Sequence, residues 1–122
     1  MKTILVVDDS RIMRNIVKNT FTELKIPSMF LEAENGQRAY QILETNKIDL
    51  ILLDWNMPEM DGMDFLRKVR SMPDYKDLPI IMVTSEAAKY NVVEALQNGA
   101  TDYIVKPIRD KVFMEKLSEI QF

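Results

Sequence analysis

The chain is predicted to fold as an α/β domain, a parallel sheet between two layers of helices, on three observations. Apolar strand-like runs alternate with amphipathic helical segments five times, without a linker, a repeat or a low-complexity stretch. The run Leu50, Ile51, Leu52, Leu53 has no polar alternation, as expected of a strand covered on both faces. Asp8, Asp9, Asp54, Thr84 and Lys106 each follow or close a strand-like run, as polar groups at the carboxyl ends of parallel strands would.

Taken in order, residues 3–7 form the first strand, and Ser10 is placed to cap a helix. That helix puts Ile12, Met13, Ile16, Val17, Thr20, Phe21 and Leu24 on one face, and Pro27 stops it. A short second strand covers 29–33. Asn35-Gly36 then turns into a helix with Ala39, Tyr40 and Leu43 inward. The third strand is 48–53, with Asp54 at its carboxyl end. Gly62 opens a helix facing the core through Phe65, Leu66, Val69 and Met72, and residues 73–77 return to the surface. Residues 78–84 are a fourth apolar strand. Residues 86–98 read as a weaker helix with Val92, Val93 and Leu96 inward and Gly99 as its stop signal. The fifth strand, 102–105, ends at Lys106-Pro107. The last segment begins at Ile108 and aligns Val112, Phe113, Lys116, Leu117 and Ile120, a helix expected over one sheet edge.

Composition narrows the function. The 122 residues suffice for one domain, and 47% hydrophobic with 29% charged residues is ordinary for a soluble globular protein. There is no signal-peptide pattern and no apolar run of membrane-spanning length, so a cytoplasmic protein without a membrane role is expected. A net charge of -3 argues against nucleic acid as a partner. There is no cysteine, hence no disulfide framework or thiolate metal site. There is also no histidine, which removes imidazole ligands and imidazole bases together. Chemistry here rests on carboxylates, hydroxyls, lysine or an oxygen-bound metal.

A parallel sheet brings Asp8, Asp9, Asp54, Thr84 and Lys106 to one edge. Carboxylates crowded there repel, which raises a pKa or recruits a cation. Oxygen donors without an EF-hand loop favour Mg²⁺. The set suits Asp54 as a nucleophile toward a phosphoryl group, with Mg²⁺ and Lys106 offsetting charge and Thr84 donating a hydrogen bond. The glycines are Gly36, Gly62 and Gly99, and none belongs to a nucleotide-cradling loop, so the donor is not ATP directly. Each residue also has a plainer reading. Acidic residues ahead of Ser10 suit a helix start, Thr84 suits a strand and Tyr103 suits a half-buried aromatic. The nine methionines, Met57, Met60 and Met63 among them, read as gap-fillers.

VVDDS at 6–10, LDWNMPEMDG at 53–62, VTSEA at 83–87 and YIVKP at 103–107 resemble the response-regulator receiver domains, and among these the chemotaxis regulators, over essentially the whole chain. The resemblance implies a flavodoxin-like (βα)5 domain over residues 1–122, with strand order 2-1-3-4-5, standing alone without an output domain. It implies that Asp54 accepts phosphate from a histidine kinase, and that Asp8, Asp9, Asp54 and the Asn56 backbone carbonyl hold Mg²⁺. Lys106 then contacts the phosphoryl group, and its bond to Pro107 is cis. Thr84 and Tyr103 couple phosphorylation to a surface on the fourth helix, fifth strand and fifth helix. There Ala87, Lys89, Tyr103, Val105 and Lys116 meet the flagellar motor switch protein. Asn56 and Glu86 tune hydrolysis of the aspartyl phosphate, and Trp55 borders the site. A phosphatase is a further partner class, and a monomer is expected. Ile108 and Arg109 depart from the aromatic and small residues usual at those positions.

This describes a signalling switch rather than an enzyme. Two alternatives use the same residues: a phosphorelay intermediate passing its phosphoryl group to another histidine protein, and a small Mg²⁺-dependent phosphatase working through an aspartyl phosphate. The phosphatase reading is weakened by Asn56 standing where such enzymes carry a second aspartate.

Overall fold

Five parallel strands in the order β2-β1-β3-β4-β5 build the sheet. They are β1 (Lys2–Val7), β2 (Ser28–Ala33), β3 (Leu50–Asp54), β4 (Ile80–Thr84) and β5 (Asp102–Val105). Between and after them run α1 (Arg11–Glu23), α2 (Gly36–Thr45), α3 (Gly62–Arg70), α4 (Lys89–Gln97) and α5 (Asp110–Glu119). The computed structural model describes residues 1–55, 57, 60–85 and 89–120.

Strand alternation sorts the core into two layers. Ile4, Val6, Leu50, Leu52, Ile81 and Val83 face α1 and α5, where Val17, Phe21, Phe113 and Leu117 cover them. The rings of Phe21 and Phe113 meet edge to face at 5.0 Å. Their neighbours Leu5, Val7, Ile51, Leu53, Ile80 and Met82 face the other way, against Ala39, Leu43, Phe65, Leu66, Val69 and Ala95. With both faces covered, β3 and β4 are buried throughout, which is why they read as unbroken apolar runs.

Three helices begin at the caps their sequences offer. Ser10 accepts from the Met13 N–H, Asn35 from Arg38 and Asp61 from Asp64. Each such cap stabilises a helix by about 1 kcal/mol.

Several expectations are corrected. The third strand starts at Leu50 rather than 48, because Asp49 turns its side chain back to the Thr3 N–H at 2.8 Å; the strand then runs through Asp54, which pairs with Val83. The fourth starts at Ile80, after Pro79, which has no N–H to give to a ladder. On α1 the buried stripe is Val17, Thr20 and Phe21, whereas Ile12 is 73% exposed and Ile16 41%. Ile16 lies about 100° round the helix from Val17, outside the stripe. Among the described side chains of α4 the buried one is Ala95; Val93 and Leu96 are more than 40% exposed. A small side chain facing the sheet lets the helix sit close, leaving its larger neighbours at the flanks. Val112 is likewise exposed, while α5 packs on the edge strand β5, as expected, and meets α1 through Phe113 and Phe21.

Candidate functional site

The carboxyl edge of the sheet gathers the polar residues that end its strands. Asp8 follows β1, Asp54 closes β3, Thr84 closes β4 and Lys106 follows β5. Asp8, Asp54 and Thr84 are buried, while Asp9 is exposed. Carboxylate oxygens of Asp8, Asp9 and Asp54 all lie within 4.8 Å of one another, the one such acidic group among the described residues. Lys106 Nζ reaches into it, 3.2 Å from Asp54 Oδ1 and 3.4 Å from Asp8 Oδ2. The Lys106 N–H donates to the Thr84 carbonyl at 2.8 Å, which ties β5's end to β4's. The Lys106-Pro107 peptide is cis, as the resemblance implies.

Burial is the main influence on Asp54 and lifts its carboxyl above the ordinary carboxylate range. The charge of Asp8 pushes the same way, Lys106 offsets part of this, and Asp9 adds a smaller push. Asp8 is also raised, again by burial first, against the opposing Ser10 N–H and Lys106. Ser10 N–H donates to Asp8 Oδ1 at 2.9 Å. Among the described residues a single lysine therefore faces three carboxylates, and the cluster carries excess negative charge. Its donors are all hard oxygens, partly buried and partly open to solvent. That donor set fits a small divalent cation such as Mg²⁺, which keeps several waters.

The family model for the response regulator receiver domain matches residues 4–118. The chain belongs to that family. The receiver domain is 48% identical over 118 residues to a chemotaxis protein CheY homolog of Campylobacter jejuni, covering 96% of this chain and 90% of that one. It is equally identical to chemotaxis protein CheY1 of Helicobacter pylori, with 96% and 94% covered. Among solved structures it superimposes on CheY4 of Vibrio cholerae with a TM-score of 0.88 at 32% identity, 98% of each chain being covered. It is thus a CheY-like receiver domain of the chemotaxis response-regulator type.

The other expected residues of the receiver divide between two places. Trp55 is half-buried beside Asp54 and packs on the core. Tyr103, Val105 and Lys116 line one groove of about 480 Å³ with Lys106, Pro107 and Val112, so the groove shares Lys106 with the acidic cluster. Lys116 Nζ sits 4.6 Å from the Tyr103 ring centre and 3.0 Å from Asp102 Oδ1. Asn56, Glu86 and Ala87 lie outside the described residues, as does the side chain of Lys89.

Two features went unread in the sequence. Gly62, taken only as a helix opener, presses on the Asp54 backbone: a Cβ there would collide with the Asp54 carbonyl oxygen. A glycine eight residues past Asp54 was the available signal. Arg14, whose guanidinium donates to the Asp8 carbonyl at 2.6 Å, had no signal beyond its place on the first turns of α1.

Proposed function

We propose that residues 1–122 act as a cytoplasmic chemotaxis switch, in which Asp54 accepts a phosphoryl group from a phosphohistidine of a sensor kinase. The observation that carries this is the Asp54 carboxylate, buried at a sheet edge with Lys106 at 3.2 Å and two further carboxylates in reach. An Asp54 oxygen attacks phosphorus, the P–N bond breaks, and the departing imidazole nitrogen keeps the bonding pair. Asp8, Asp9 and Asp54, with the Asn56 backbone carbonyl, would hold Mg²⁺. Bound there, the ion supplies positive charge against the phosphoryl oxygens. Lys106 offers its ammonium to the same oxygens, and the Thr84 hydroxyl donates a hydrogen bond. Drawing Thr84 toward the phosphoryl group lets the Tyr103 ring move, which biases the surface carrying Ala87, Lys89, Tyr103, Val105 and Lys116 toward the flagellar motor switch protein. Asn56 and Glu86 tune hydrolysis, and a phosphatase would act on the same aspartyl phosphate.

The test is labelling by acetyl phosphate with Mg²⁺, expected to add one phosphoryl group per chain and none to Asp54→Asn. Stoichiometric labelling of Asp54→Asn overturns the assignment. Binding to an N-terminal peptide of the motor switch protein should tighten on phosphorylation; equal binding with and without phosphate overturns the motor partner.

A further inference from the structure

Arg14 reaches the acidic site from behind. Its Nη1 donates to the Asp8 carbonyl at 2.6 Å, a short charge-assisted bond. Its Nε donates to Glu32 Oε1 at 3.0 Å, and the other Glu32 oxygen accepts from Lys18 Nζ at 2.9 Å. The Arg14 side chain is only 14% exposed, so this is a held geometry rather than a loose surface pair.

The carbonyl it grips belongs to the peptide that joins Asp8 to Asp9. Pairing of β1 with both neighbours ends at Val7, and the Asp8 N–H makes one further bond, to the Ala33 carbonyl at 3.0 Å. Past that point the direction in which the chain delivers Asp9 depends on the plane of this peptide. The Asp8 carboxylate is already oriented by Ser10 and Lys106, whereas that of Asp9 is exposed. Mg²⁺ demands near-ideal octahedral geometry, so the angle between two adjacent ligands matters. Glu32 has its own part. A guanidinium is a strong partner for carboxylates, and by occupying its Nε edge Glu32 keeps Arg14 on the carbonyl instead of on Asp8 or Asp9.

We propose that Arg14, held by Glu32, is a positioning residue for the metal-ligating pair Asp8 and Asp9. The inference rests on the Mg²⁺ site proposed above. Charge alone and positioning predict opposite signs: removing a cation beside a metal site tightens metal binding by electrostatics, whereas losing the peptide's anchor weakens it. Mg²⁺ alone, titrated into the full chain by calorimetry and Trp55 fluorescence, is expected to bind Arg14→Met about tenfold more weakly, the usual scale when groups that orient ligands are removed. Arg14→Lys, which can still reach the carbonyl, is expected to recover part of the loss. Unchanged or tighter Mg²⁺ binding by a folded Arg14→Met overturns the proposal. If Arg14→Met does not fold, Arg14→Gln decides: weaker binding supports the anchor, and wild-type or tighter affinity overturns it. No Mg²⁺ response from the wild-type chain removes the metal site itself, and the proposal with it, whereas equal binding by wild type and variants removes only the positioning role.

Discussion

The Gly62 Cα lies so close to the Asp54 carbonyl that no side chain fits between them. The Gly62 N–H also donates to the Trp55 carbonyl at 2.9 Å, so the start of α3 is clamped to the end of β3. Gly62→Ala is therefore expected to push the Asp54 peptide out of place. The strain should cost about 1–3 kcal/mol, the range for overpacking a filled site, and slow labelling of Asp54 by acetyl phosphate. Urea unfolding and labelling rates measure the two effects. A Gly62→Ala protein with wild-type stability and rate would show that the loop yields freely.

The raised Asp54 and Asp8 carboxyls make stability depend on pH in a definite direction. A carboxyl whose folded pKa lies above its unfolded value holds more protons in the folded state between those two values, so stability falls as pH rises through that window. Above that window both groups are ionised and the full cost is present. Asp54→Asn should then be more stable than wild type at neutral pH, and the advantage should disappear below the ordinary carboxylate range. Denaturation midpoints at the two pH values test this; a variant less stable than wild type at neutral pH would contradict it.

Mg²⁺ should relieve the same repulsion. At ten times its dissociation constant a ligand of the folded state adds about 1.4 kcal/mol, so millimolar Mg²⁺ is expected to raise the melting temperature and chelation to reverse it. Trp55, next to Asp54 in sequence and half-buried, should change fluorescence in the same titration. Absence of both responses removes the metal site.

How much of this was legible in the sequence follows from where the physics is local. Asp8, Asp54, Thr84 and Lys106 were readable as one site because a parallel sheet sends every strand's carboxyl end to the same edge. The Ser10 cap was readable too, because it acts within three residues of itself. By contrast, Ile16 and Val93 are apolar residues flanking a buried stripe, and periodicity does not say which edge of an apolar face the sheet covers. The Gly62 contact with Asp54 and the Arg14 bond to the Asp8 carbonyl end on backbone atoms, so no partner side chain marks them in the sequence.

Lys116 is held by Asp102 at 3.0 Å while resting over the Tyr103 ring. Burial acts to lower the lysine's pKa, but the Asp102 bond and charge, together with Tyr103 and Glu119, outweigh it and the net shift is upward. A raised lysine contributes stability at neutral pH that is lost as pH climbs through its folded pKa. Asp102→Asn should thus cost up to about 1 kcal/mol at neutral pH, as for a partly exposed pair, with the difference closing in strong alkali. It should also loosen Tyr103, visible as altered ring resonances by NMR. An unchanged ring spectrum would mean that Lys116 does not restrain the tyrosine.

Helices α1 and α4 end in the same way but with different residues in the left-handed position. After α4, Gly99 has φ 104°, and the Ala100 N–H returns to the Ala95 carbonyl at 3.0 Å. After α1, Lys25 has φ 58°, and the Ile26 N–H returns to the Phe21 carbonyl at 3.1 Å. A side chain in that conformation costs about 1–2 kcal/mol, part of which glycine gives back through its greater freedom when unfolded. Lys25→Gly is therefore expected to stabilise the chain by roughly 1 kcal/mol. Gly99→Ala should do the reverse, and more strongly, because its Cβ would also meet Arg70 Cγ at 2.7 Å. Both lie away from Asp54, so labelling by acetyl phosphate should be unaffected while urea midpoints move in opposite directions; a destabilised Lys25→Gly would show that the lysine side chain contributes more than its backbone conformation costs.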